Sequence, residues 1–349
     1  GHYTHEVSEL LKSQLKCSKV LLTHSGTAAL EMAVLLAEIG PGDEVIMPSY
    51  TFVSTANAVV LAGGIPVFVD IELDTLSISV EQVVSAVSAR TKAVIVVHYA
   101  GGSGDIKGLA EKAKELGLVL IEDAAQGIGA KYLDRPLGTF GDYGCLSFHE
   151  TKNIHCGEGG ALVINSEQNV RRAEVIREKG TNRSAFFRNE VDKYTWIDKG
   201  SSYLPSELNA CFLYGQMIEL ESILERRLLA WKFYETALAE LNYLPSISLP
   251  NPHKSHNGHI FYLLMESDLL MRDLKKHLND VGVLAVTHYV PLHSSPAGQK
   301  FGIHSGQLTN TTFVANGLLR LPLFANISVD EQNLIIKTVL NWAKTNAGF

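Results

Sequence analysis

Lys152 stands between a short strand-like run and a glycine cluster in the stretch CLSFHETKNIHCGEGG, residues 145–160. Lysines usually occupy solvated helix faces, whereas this one is flanked by β-forming residues, an acid, two histidines and Gly157-Glu158-Gly159-Gly160. Such surroundings desolvate an ammonium, and a lysine that loses its proton near neutral pH condenses with a carbonyl to form a Schiff base. Pyridoxal phosphate is the cofactor that most often uses this chemistry. It requires a carboxylate for the pyridinium nitrogen, an anion cradle for the phosphate and a flat side chain over the ring. A carboxylate lies 29 residues upstream, where LVLIED carries Glu122 and Asp123 to the end of an apolar run followed by AAQGIGA. Ligands bind at the carboxyl ends of strands in open α/β sheets, and the small residues that follow let a flat ligand lie against the backbone. Asp123 is therefore the candidate partner of the pyridinium nitrogen, with a solvated loop acid or a helix cap as the plainer alternative. His24-Ser25-Gly26-Thr27, where strand-like KVLL passes into a helical run, presents amide N–H groups at the positive end of a helix. That is a ready anion site, or else a plain N-cap.

The elements that must position these groups alternate between strand and helix. Apolar runs at Lys19–Leu22, Glu44–Met47, Ile65–Val69, Ala93–Val97 and Leu118–Ile121 predict strands. Helical periodicity spans Glu6–Lys16, Ala28–Ile39, Val53–Ala62 and Ile106–Leu116. This βα pattern predicts a mainly parallel sheet covered by helices. The glycine-rich YAGGSGDIKG has Lys107 where a dinucleotide fingerprint needs its third glycine, so it reads as a βα loop. A charged helix is expected over 165–180 and one long helix, or two, over Ser206–Leu241. Between them Lys179, Arg183, Arg188 and Lys193 interleave with Phe186, Phe187, Tyr194 and Trp196. Basic residues mixed with aromatics suit an anionic ligand that carries a flat ring. After Asn242 the texture changes to Pro-rich loops, then a strand Ile260–Met265, a helix Leu269–Val281, a strand Val283–Val286 and a helix Val329–Lys344. These predict a small α+β domain over residues 243–349, after a large domain over 1–242. The loop Thr287-His288-Tyr289-Val290-Pro291-Leu292-His293 is polar and aromatic together, and is expected to face the cleft.

Composition bounds the function. With 349 residues, 46% hydrophobic and 19% charged, the chain can bury a large core and is expected to be an ordinary globular protein. The net charge of −7 argues against nucleic acid as a partner. No apolar run approaches the roughly 20 residues that span a bilayer, so no membrane partner and a cytoplasmic location are expected. Four cysteines without CxxC pairing suit a reducing compartment. Thirteen histidines show no metal-ligand spacing, and no metal is expected. The chain begins at Gly1, so an upstream segment is expected to have been lost or removed, unless Gly1 and His2 are a tag remnant.

Taken in order, SGTAALE, GDEVIMPSYTFVSTANA, FVDI, IEDAAQGIGA, SFHETKN, GEGGAL and GSSYLPSEL resemble the DegT/DnrJ/StrS sugar aminotransferases over nearly the whole chain. The resemblance implies a fold-type I α/β architecture, pyridoxal 5'-phosphate as cofactor, and Lys152 and Asp123 as the catalytic pair. It implies that Gly26, Thr27 and Ser147 bind the phosphate, that Phe52 stacks on the ring and that Gln126 lies near the ring hydroxyl. Ser202 takes the place of a frequent asparagine that reaches the phosphate of the neighbouring subunit, and a homodimer with shared sites is implied with it. Substrate contacts are expected from His149, Arg183, Arg188, Lys193, Tyr194, His288, Tyr289 and His293. L-glutamate is the implied amino donor and a dTDP-keto-deoxy sugar the acceptor. The long runs REKGTNRS, VDKYTW and HYVPLH favour members acting at C4. Relatives acting at C3, dehydratase-like relatives with histidine in place of Lys152, and a silent binding paralogue are the alternatives. The resemblance also implies an N-terminal segment, absent here, that helps close the sugar site.

Overall fold

The computed structural model describes residues 1–251 and 255–346, so three residues of the Pro-rich stretch after Asn242 lie outside the described residues. The strands in the first half are β1 (Lys19–Thr23), β2 (Glu44–Pro48), β3 (Ile65–Val69), β4 (Thr91–Val97) and β5 (Val119–Asp123). A short hairpin of β6 (Lys131–Tyr132) and β7 (Arg135–Pro136) follows, then β8 (Tyr143–Ser147) and β9 (Gly160–Ile164). The remainder carries β10 (Ile247–Ser248), β11 (Phe261–Met265), β12 (Ile303–His304) and β13 (Leu318–Leu321).

Eight of these form one sheet in the order β1-β9-β8-β5-β4-β2-β3-β12. β2, β3, β4, β5 and β8 pair in parallel. β9 alone runs the other way, antiparallel to both β8 and β1. Strands buried on both faces read as continuous apolar runs, which is why KVLLT, EVIMP, IPVFV and GALVI lack alternation. One face packs on the helices Gly26–Leu36 and Val53–Leu61 through Leu21, Met32, Val45, Ile95 and Ile121. The opposite face packs Ile46, Val67, Val94 and Leu120 against the helix Ile106–Glu115.

A second core surrounds the sheet β10-β11-β13 and the helices Asp268–Asp280 and Val329–Asn346, with Phe261, Leu274 and Trp342 at its centre. It also takes Trp231, Tyr234, Leu238 and Leu241 from before residue 242, and β12 returns to the edge of the large sheet, so the two cores interleave in sequence. The expected long helix is two, Glu207–Ile218 and Leu220–Ala237, separated at Glu219. The expected strand Val283–Val286 is not one. A single bridge joins Val286 to Arg320, and Leu284 points outward at 74% exposure, so the run VLAV has no partner strand. The charged helix expected over 165–180 is confined to Val170–Arg177, because a 3-10 turn occupies Glu167–Asn169.

A polar seam joins the two cores. Asn257 Nδ2 donates to the carbonyls of Gln126 (2.7 Å) and Ile128 (2.8 Å), and Asn153 Nδ2 donates to the carbonyl of Asn257 (3.0 Å). Gly101, at φ +77°, leaves room for Asn257, since a Cβ there would meet its Oδ1 at 1.8 Å. Among the described residues no helix is long and apolar enough to cross a membrane, and no cluster of histidine, cysteine and acidic side chains could hold a metal ion.

Candidate active site

Because every strand of the large sheet except β9 runs the same way, the carboxyl ends of β1, β2, β4, β5 and β8 share one edge. A cavity of about 570 Å³ opens there. Lys152, Asp123, Phe52, His98 and Ser147 line it from the large sheet, and His259, His288, Tyr289 and Arg320 line it from the other core. The five sheet-side residues come from four strand ends and the loop after β8.

At one end the helix Gly26–Leu36 begins. Ser25 caps it by accepting from the amide of Ala28 (3.1 Å), and the hydroxyls of Thr27 and Ser54 meet at 2.7 Å. Gly26 lies against β8: a Cβ on it would sit 2.8 Å from Ser147 Cβ and 3.3 Å from Ser147 Cα. Only glycine lets the helix start this close to the serine, so amide groups and the hydroxyls of Ser25, Thr27 and Ser147 converge where an anion gains from the helix dipole. Gly26→Ala should cost about 1–3 kcal/mol through this overlap. It should also weaken binding of a phosphate-bearing cofactor, as read by thermal denaturation and by cofactor titration. Unchanged values in both would contradict the packing described.

Asp123 is 5% exposed. Its Oδ2 accepts from the Thr55 hydroxyl (2.7 Å) and its Oδ1 from the amide of Ala125 (3.2 Å). Burial pushes this carboxyl above its ordinary range, although those two donors, the Lys152 ammonium and His98 oppose the shift. Burial likewise holds Lys152 below the usual lysine value; Asp123 opposes this and the Arg320 charge adds to it. A buried carboxylate wanting a cationic partner, beside a lysine that gives up its proton easily, fits a pyridinium ring and a carbonyl carbon. Phe52, 54% exposed, lies tilted against the Tyr289 ring at 6.3 Å and offers a flat surface to a ligand.

The remaining walls are held by hydrogen bonds. Gln126 accepts from the amide of Ala100 (2.7 Å) and donates to the Tyr289 hydroxyl (2.8 Å), so it fixes Tyr289 at the cavity. His288 stacks on Tyr289 with centroids 3.8 Å apart, and its Nδ1 meets the Tyr99 hydroxyl at 2.6 Å. Behind Asp123, fully buried Glu122 accepts from His98 Nε2 (2.7 Å) and from the amides of Gly138 (2.8 Å) and Gly141 (2.7 Å). His98 Nδ1 is buried without a partner in the cavity wall, an open polar position for a ligand.

Burial depresses His256 to about 4 and His288 to about 3, and holds His259 well below its usual value. All three are neutral in the fold, whereas the unfolded chain takes up these protons near pH 6.5. Between 6.5 and the folded values the unfolded state binds more protons, so stability falls as pH drops. The expected slope is about 1.4 kcal/mol per pH unit for each histidine. Asp123, with its raised folded value, works in the opposite sense but closer to the carboxylate range. Urea denaturation at pH 7.5, 6.5 and 5.5 checks this, and equal stabilities at all three would contradict it.

Of the residues singled out in the sequence, Lys152, Asp123, Gly26, Thr27, Phe52, Gln126, Ser147, His149, His288 and Tyr289 line this cavity. The others do not reach it within this chain. Arg183 lies 3.9 Å from Glu178 and over the Phe187 ring, and Arg188 binds Glu174 (2.8 Å) and Glu190 (3.0 Å), so local acids neutralise both. Tyr194 packs on Phe186, Lys193 is exposed, and Ser202 bridges to Glu178. His293 instead ties its loop to the end of β2, its Nδ1 2.7 Å from the Ser49 hydroxyl. The sequence reading missed His98, His259 and Arg320. His98 ends the apolar run of β4 as Asp123 ends that of β5, a position that could have drawn attention to it. Arg320 interrupts the apolar strand LLRL, a signal of a charge held inside.

Residues 1–340 match the profile of the DegT/DnrJ/EryC1/StrS aminotransferase family. The chain is 31% identical over 97% of its length to the uncharacterized protein MJ1066 of Methanocaldococcus jannaschii, covering 89% of that protein. Among solved structures it is similar to DesV of S. venezuelae (31% identity, TM-score 0.89, 99% of this chain and 90% of that one). It is also similar to NtdA of Bacillus subtilis, solved with bound cofactor PMP (30% identity, TM-score 0.89, 99% and 78%). A third similar structure is the aminotransferase TlmJ of Streptoalloteichus hindustanus (27% identity, TM-score 0.90, 99% and 92%).

Proposed function

The chain belongs to the DegT/DnrJ/EryC1/StrS aminotransferase family, whose cofactor is pyridoxal phosphate, and from that premise we propose which residues carry the reaction and which substrates it joins. The proposed reaction moves the amino group of L-glutamate to C4 of dTDP-4-keto-6-deoxy-D-glucose, giving dTDP-4-amino-4,6-dideoxy-D-galactose. The observation that carries it is the meeting of Lys152 and Asp123 in one buried cavity that ends in the Ser25–Thr27 helix start. The runs SFHETKN, REKGTNRS, VDKYTW and HYVPLH support the choice of a C4 acceptor.

The amides at the start of the helix Gly26–Leu36, with the hydroxyls of Thr27 and Ser147, would hold the phosphate. Phe52 would cover one face of the ring, and Gln126, fixed between Ala100 and Tyr289, would sit by the ring hydroxyl. When bound, the cofactor supplies an electron sink for the carbon that loses or gains a proton. Asp123, held in orientation by Thr55 and Ala125, would keep a proton on the ring nitrogen. Lys152 Nζ, whose proton burial makes easier to lose, would take the proton from the donor carbon and later return one to the acceptor carbon. His149, at the cavity mouth and 3.6 Å from Glu158, and His288 with Tyr289 would contact the sugar.

Arg183, Arg188, Lys193, Tyr194 and Ser202 enter this reading through a homodimer, facing the cavity of a second copy. Their segment exposes Trp196 at 78%, together with Phe187, which favours a covered surface. The test is a reaction of the cofactor-loaded protein with L-glutamate and dTDP-4-keto-6-deoxyglucose, the product being characterised by NMR. An axial C4 amine on the dTDP sugar supports the reading. A C4 epimer, or turnover only with a 3-keto sugar, would replace it with that acceptor.

A further inference from the structure

Among the described residues Arg320 is the one arginine of the cavity wall. It projects from β13 of the second core into the cavity that holds Lys152 and Asp123. Its Nε is buried without a hydrogen-bond partner, and among the described residues its guanidinium forms no ion pair with a carboxylate. Its surroundings are phenols and neutral imidazoles: Tyr50, Tyr99, Tyr289, His259 and His288. Of the neighbouring cations, Lys152 feels the Asp123 charge, which favours its protonated form, and Arg227 donates to the carbonyls of Gly258 (3.1 Å), His259 (2.9 Å) and Leu323 (3.2 Å). A guanidinium nitrogen buried without an acceptor is costly, and a planar donor fork facing a cavity matches a carboxylate.

The phosphate end of the cavity lies at the helix Gly26–Leu36, supplied by the large sheet, whereas Arg320 comes from the other core. We infer that Arg320 binds the α-carboxylate of the amino donor, and so selects α-amino acids over other amines in the first half of the reaction. Lys152 must reach the carbon that carries the amino group, and the α-carboxylate is bonded to that carbon. Arg320 and Lys152 line the same cavity, so one small group in it can face both, and the Arg320 charge disfavours the protonated form of Lys152. The keto-sugar ring bears no carboxylate, so the second half-reaction makes no such demand on Arg320.

This assignment rests on the aminotransferase reading, and the test separates the two. Arg320→Gln and Arg320→Lys are made in the cofactor-loaded protein. Binding of glutarate, a dicarboxylate without an amino group, is measured by calorimetry. Single-turnover rates are then measured with L-glutamate, L-alanine, 4-aminobutyrate and the keto sugar nucleotide. Removing one member of a buried charged pair should weaken glutarate binding and slow both α-amino acids by about 100-fold. The loss with 4-aminobutyrate and with the sugar should be at least about tenfold smaller, and Arg320→Lys should recover part of it. Unchanged glutarate binding with unchanged L-glutamate turnover would overturn the assignment and leave the aminotransferase reading standing. Equal losses with all four substrates and unchanged glutarate binding would overturn it in favour of a structural arginine. If the parent protein takes no amino group from any amino acid, the aminotransferase reading fails, and glutarate binding alone still reports on Arg320.

Discussion

Lys152→Ala should yield a folded protein with amino transfer reduced by at least about 10⁴-fold, the upper range for loss of a positioned acid–base group. Lys152 follows β8 by five residues, and its amide donates to the carbonyl of His149 (2.9 Å), so the backbone turn that presents it does not depend on the side chain. A truncated side chain removes an ammonium that burial already disfavours, and the fold should tolerate the loss. The check combines turnover with mass spectrometry after borohydride treatment. The cofactor's mass should become fixed to the parent protein and not to the variant. Residual turnover within about tenfold of the parent would exclude Lys152 as the proton carrier, since a positioned acid–base group contributes more than that.

Asp123→Asn should separate chemistry from stability. Asparagine keeps the shape, and its one carbonyl oxygen can still accept from the Ala125 amide while its NH2 donates to the Thr55 hydroxyl oxygen, but it carries no charge to hold a proton on the ring nitrogen. Loss of one side of a buried charged pair costs about 2–5 kcal/mol, which corresponds to about 30- to several-thousand-fold in rate. Stability should move the other way. Because the folded carboxyl is raised, the protonated form favours the fold, and ionisation at neutral pH works against it. The cofactor-free variant should therefore be as stable as the parent, or more so, at pH 7. Lower stability together with normal turnover would reverse the role given to Asp123.

These two residues were legible in the sequence because each stands where periodicity stops. Asp123 ends an apolar strand and meets a run of small residues, and Lys152 sits between β-formers and glycines. Strand and helix alternation likewise predicted the mainly parallel sheet. The reversal of β9 was not legible, since GALVI looks the same running either way, and its direction follows from the return of the chain between Glu150 and Gly157, where the Glu150 amide donates to the Gly157 carbonyl. VLAV at 283–286 is apolar and β-forming, yet β13 meets it only at Val286. The basic, aromatic segment after Lys179 suggested an anion site, but within one chain Arg183 and Arg188 are matched by Glu178, Glu174 and Glu190, which lie nearby in sequence. Arg320 escaped notice for the converse reason. Nothing near it in sequence announces a ligand, and its meaning comes from a cavity whose opposite wall is nearly 200 residues away along the chain.

The most direct measurement of the central claim is the visible absorption of the cofactor-loaded protein, followed first on addition of L-glutamate and then of dTDP-4-keto-6-deoxyglucose. Glutamate should abolish the cofactor's visible band with release of 2-oxoglutarate, and the sugar should restore it while gaining an amine. A band that glutamate leaves unchanged would contradict amino transfer by this site, and a band that glutamate bleaches but the keto sugar cannot restore would contradict the proposed acceptor.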